Sequence, residues 1–89
     1  MSLIEDLVAS IEDDKQTVEG LGAGASGLVR RAEELIGTLS GLGVRMEGHP
    51  LSFAKQTLEE CVGQCAALGH QADQARSAAE AAKGADGSA

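Results

Sequence analysis

The apolar residues of this chain recur at the period of a packed helix. Stepping alternately by three and four from Ile4 reaches Leu7, Ile11, Asp14, Val18, Leu21, Ala25, Leu28, Ala32, Leu35, Leu39 and Leu42, and Asp14 alone is polar. This is an a/d heptad, the pattern that lays one helix along another. The same stepping from Leu51 reaches Ala54, Leu58, Cys61, Cys65, Leu68, Ala72, Ala75, Ala79 and Ala82, all apolar or cysteine. The spacing predicts two long helices, about 3–42 and 50–83. Ser2 followed by Glu5 is a capping-box pattern at the first start. Pro50 suits the first turn of the second helix, where its missing N–H is no loss. The connection from Gly43 to His49 is short enough to join antiparallel neighbours.

Gly20, Gly22, Gly24, Gly27, Gly37, Gly41, Gly63 and Gly69 all fall off the two predicted seams. Each still costs a helix about 1 kcal/mol relative to Ala. The cluster from Gly20 to Gly27 therefore predicts a helix held by packing, with a kink or fraying there. A full break, giving three helices, is the competing reading. Folding the hairpin lines up both seams in one register, with Leu42 opposite Leu51, Leu35 opposite Leu58, Ala32 opposite Cys61, Leu28 opposite Cys65 and Asp14 opposite Ala79; the two residue numbers of each pair add to 93. The expected fold is all-α, a single antiparallel two-helix hairpin over 1–83, with a disordered tail over 84–89.

Composition narrows the function classes. Phe53 is the single aromatic residue, and 43% of the chain is apolar, drawn mainly from Ala, Leu and Val. A β-sandwich or barrel draws on aromatic and β-branched residues instead. The net charge of −7 disfavours phosphate backbones and anionic membranes as partners. No apolar run reaches the 18 residues that suggest a membrane span, and residues 1–20 lack the basic, apolar layout of a secretory signal. The expected location is the cytoplasm, or outside the cell by a route that needs no cleaved signal peptide.

The alanine-rich second seam buries few methylene groups, and chains this short usually need a staple or a partner. Val8, Val29 and Ile36 share the e position of the first helix. Leu3, Ile4, Leu7 and Val8 overhang the end of the second in the predicted register, and Phe53 lies off its seam. The expected partner interface is therefore Leu3, Ile4, Leu7, Val8, Val29, Ile36 and Phe53. Two hairpins closing into a four-helix bundle would cover it.

Signals for chemistry are sparse. Cys61, Cys65 and His70 could suggest a metal site, but His70 is off the seam, His49 is at the loop, and no fourth ligand is near. Two small thiols packed opposite Ala32 and Leu28 explain the cysteines better. Asp14 reads as a solvated charge or as a polar seam residue that fixes register. The carboxylate runs Glu12-Asp13-Asp14, Glu33-Glu34 and Glu59-Glu60 hold neighbours that do not face each other on a helix, so none forms an acid/base dyad. Arg30-Arg31 is too small a basic patch for nucleic acid, and the surroundings of His70 do not suit a phosphoryl acceptor. No catalytic residue, metal or cofactor is expected.

The loop carries a resemblance. Two antiparallel helices of this length, joined through Met46-Glu47-Gly48, resemble the small Trp-Xaa-Gly (WXG) hairpin proteins of type VII secretion. Gly48 matches that motif, while Met46 stands where the family has Trp. The resemblance covers residues 3–83 in outline. It implies a non-enzymatic protein that acts as a homodimer, pairs with a related helical hairpin, or serves as partner of a larger secreted effector. The family's Tyr-Xaa-Xaa-Xaa-Asp/Glu export signal has no counterpart, since the chain contains no Tyr. A cytosolic helical adaptor or chaperone unrelated to secretion is the alternative.

Overall fold

The structure, a computed structural model, describes residues 2–85. It consists of two helices, α1 (Leu3–Gly41) and α2 (Pro50–Ala85), running side by side as an antiparallel hairpin. α1 is a single 39-residue helix that passes through Gly20–Gly27 without a break, so the three-helix reading is excluded. α2 has 36 residues. Gly84 and Ala85, expected in the tail, are its last residues; 86–89 lie outside the described residues. The molecule measures 67 × 18 × 13 Å. Its smallest dimension is about that of one helix with its side chains, so there is no interior to fill. Among the described residues only Ala25, Ala32 and Gly69 are buried.

Local chemistry explains the ends. The Ser2 hydroxyl oxygen accepts from the N–H groups of Ile4 and Glu5 at 3.1 and 3.4 Å, which satisfies two of the first turn's free donors. At the other end the N–H of Gly43 donates to Ser40 and that of Val44 to Leu39. These are the two bonds of a Schellman motif, and the left-handed residue it requires is Gly43, at φ +86°. The chain then turns again over Met46-Glu47-Gly48-His49, closed by the His49 N–H on the Met46 carbonyl. Gly48, at φ +70° and third in that turn, makes it type II, which favours glycine there. His49 Nδ1 accepts from the Leu51 N–H at 3.1 Å and caps α2.

This double turn changes the predicted register. Four ion pairs cross the hairpin: Glu5–Lys83, Glu12–Arg76, Lys15–Asp73 and Glu33–Lys55. The residue numbers of each pair add to 88, not 93. Gly22 against Cys65 adds to 87. The Schellman reversal sends the loop back alongside the last turn of α1, so α2 starts about level with Gly37. The expected overhang of residues 3–8 largely disappears, because α2 reaches the level of Glu5.

The helices are also rotated from the predicted seam. The buried and part-buried seam of α1 keeps the a residues Ile4, Ile11, Val18, Ala25, Ala32 and Leu39, but the second position of each heptad moves on by one. Val8, Lys15, Gly22, Val29 and Ile36 line the seam in place of Leu7, Asp14, Leu21, Leu28 and Leu35. α2 does the same, with Lys55, Val62, Gly69 and Arg76 in place of Ala54, Cys61, Leu68 and Ala75; Cys61 stays part-buried at the seam's edge. Two of the glycines thus lie on the seam after all. A Cβ added at Gly22 would stand 3.2 Å from the Cys65 Cβ. Small residues at this waist let the axes approach, whereas leucines there would hold them apart.

Candidate interaction surface

The rotation leaves the hairpin with two unlike sides. On one, Lys15, Arg76, Lys83 and Lys55 sit at e positions and reach across to carboxylates at b positions of the other helix. The aliphatic stems lie along the seam while the charged heads stay wet. Lys15 Nζ lies 2.8 Å from Asp73 Oδ1; that oxygen has no aligned hydrogen bond, and the short distance makes the ammonium its partner. Bonding to Lys15 holds the Asp73 carboxyl below its ordinary range, helped by Arg76 and His70. The same contact raises Lys15. Both are therefore charged at neutral pH, and neither is poised as an acid or base there. Pairs this exposed add more orientation than stability.

An open groove of about 450 Å³ runs along this side, lined by Lys15, Val18, Gly22, Cys65, Gly69 and Asp73 among others. Its floor is glycine, alanine and thiol. Cys61 and Cys65 are free and part-buried, and burial pushes the Cys65 thiol up, with Cys61 adding to the effect. Cys65 packs against Gly22 rather than against Leu28, as the predicted register had it. Among the described residues no group of three or more His, Cys, Asp or Glu side chains could hold a metal ion.

The other side carries the leucines. Leu7, Leu21, Leu28, Leu35 and Leu42 recur every seven residues, interrupted at Asp14, and are 51%, 62%, 48%, 49% and 75% exposed. A run of large apolar side chains this long in water is unusual for a monomer and makes this side the candidate contact surface. Leu68, half exposed, is the one large apolar residue that α2 displays at the matching position.

The residues expected at the interface divide between these settings. Leu3 and Leu7 lie exposed on or beside the leucine line. Ile4, Val8, Val29 and Ile36 are part-buried on the intramolecular seam, so they stabilise the hairpin itself. Phe53 is exposed near the start of α2, on the side away from the seam. In the loop Met46 is part-buried, and its carbonyl accepts from His49 N–H and the Ser52 hydroxyl. Glu47 is exposed, and Gly48 is accounted for by its φ. The sequence reading missed the exposed leucines because an a/d and an a/e seam have the same spacing. The Lys and Arg residues at e, each matched to a carboxylate across the hairpin, were the signal that distinguishes them.

No protein-family model, curated protein or solved structure matches the chain. No helix of the described residues is long and apolar enough to cross a membrane.

Proposed function

We propose that this protein is a non-enzymatic helical interaction protein, resembling the WXG hairpins of type VII secretion, that works as a dimer or as partner of a larger secreted protein. The observation that carries the reading is the exposed heptad of leucines on α1. It is the surface a second helix would cover, and a slab 13 Å thick has no other way to bury it. The loop supports the same reading, since its Gly48 serves the turn that joins the helices and Met46 is tucked in where the family has Trp. That Met favours a second reading, a cytosolic adaptor or chaperone with no link to secretion.

Blotting culture supernatant and cells, with and without the secretion ATPase of the producing organism, separates the two. Export that depends on the ATPase, and that is lost in a Leu21→Glu/Leu28→Glu variant, is expected. Retention in the cell under both conditions would overturn the secretion reading and leave the adaptor.

A further inference from the structure

The leucines belong to a longer line. Stepping by four and three from Leu3 to Leu42 gives twelve positions, eleven on α1 and the last its C-cap, all exposed. Of the chain's charged residues, only Asp14 and Arg31 fall on this line, and they are opposite in sign. We propose that α1 docks along this line against α1 of a second copy, antiparallel, with Asp14 of each copy facing Arg31 of the other. The inference rests on reading the leucine face as an association surface, and it names the occupant.

Self-complementarity is the argument. A two-fold interface is isologous, so residue i meets j wherever j meets i. With Asp14 set against Arg31, Leu3 meets Leu42 and the two lines overlap over their full length. Leu21 meets Gly24, and every remaining layer sets a leucine against a serine or threonine. Large against small in four of the six layers lets the axes close up between the ends. Shifting the copies by one heptad sets Arg31 against a leucine and Asp14 against Thr38 or Gly24. A parallel pairing sets Asp14 on Asp14 and Arg31 on Arg31, which repel. The register with the longest overlap is thus also the one that neutralises both charges.

The ion-paired side stays free in this arrangement, because its charges are already matched within each hairpin. On the leucine line itself this register sets no like charges together, although each chain carries a net charge of −7. At 1.5 Å per residue and about 10 Å width, α1 offers a footprint of roughly 600 Å² per copy. Two such footprints reach about the lower limit of stable interfaces, so a reversible dimer in the micromolar range is expected.

Sedimentation equilibrium on the full chain and its charge variants tests this. The wild type should dimerise. Asp14→Arg or Arg31→Asp alone should weaken the dimer about tenfold or more, with unchanged helical circular dichroism because both positions are exposed. The double variant should return to within about threefold of wild type, and mixing the two single variants should give a heterodimer tighter than either homodimer. Asp14→Asn should fall between. A wild type that stays monomeric at 0.5 mM overturns the proposal, and the ATPase-dependent export assay still decides the wider reading independently. A wild-type dimer indifferent to these charges overturns the proposed register while the interaction reading stands.

Discussion

Gly22 lies so close to Cys65 that a Cβ added to it would stand 3.2 Å from the Cys65 Cβ. This contact fixes which side of α1 meets α2, and the predictions about packing follow from it. Gly22→Ala should lose helix-propensity gain to crowding and leave the melting temperature unchanged or lower. Gly20→Ala and Gly37→Ala meet nothing within 4 Å and should each stabilise by up to about 1 kcal/mol. Thermal unfolding of the three variants checks the contrast; equal stabilisation by all three would contradict the close approach.

The exposed and buried heptad positions should respond oppositely to charge. Ala32 is 8% exposed and Leu28 48%. Ala32→Asp puts an unpaired charge into the seam and should cost several kcal/mol, enough to unfold so slender a hairpin. Leu28→Asp should leave the helical content of the separated hairpin intact while abolishing self-association. Circular dichroism and sedimentation on the same samples read both effects.

The loop glycines are predicted to be intolerant. Gly43 and Gly48 both adopt positive φ, where an L side chain costs about 1–2 kcal/mol per residue. Gly43→Ala and Gly48→Ala should each lower stability by about that amount. Open space surrounds both positions, so an effect of this size would report backbone conformation and not packing.

The Lys15–Asp73 pair sets a pH window. Asp73 titrates below its ordinary value, so its contribution is present above about pH 3.9 and is lost as pH falls through the lowered value. Lys15 titrates above its ordinary value, so its contribution holds below about pH 10.4 and is lost as pH rises through the raised value. The melting temperature of Asp73→Asn relative to wild type should therefore differ between these limits and converge outside them. A difference independent of pH would show that the pair does not couple to folding.

Cys65 should be the sluggish thiol. Burial raises its pKa, which lowers its thiolate fraction near neutral pH. Alkylation by iodoacetamide at pH 7.5, followed by peptide mass spectrometry, should modify Cys65 more slowly than a free cysteine peptide. Rapid modification of the folded chain would contradict its place against Gly22.

Much of the architecture was legible in the chain. Heptad spacing marked two helices, Ser2 and Pro50 marked where they start, and Gly43 and Gly48 lie in the segment that joins them. These are local rules: caps, propensities and turn chemistry act over a few residues and do not depend on what packs where. The a positions of both seams were right for the same reason, since they lie near the middle of the apolar arc whichever neighbour is chosen.

Only the tertiary structure decided which half of that arc faces inward and how far one helix slides along the other. Spacing cannot separate Leu28 from Val29 as the inward residue, because a/d and a/e lines advance by the same three and four. The choice depends on the close approach at Gly22 and Cys65, on three lysines and one arginine that reach carboxylates across the hairpin in this register, and on a double turn that starts α2 level with Gly37. These are interactions between residues far apart in sequence. Their result is that Leu7, Leu21, Leu28, Leu35 and Leu42, which read as the core of the hairpin, stand on its outer face.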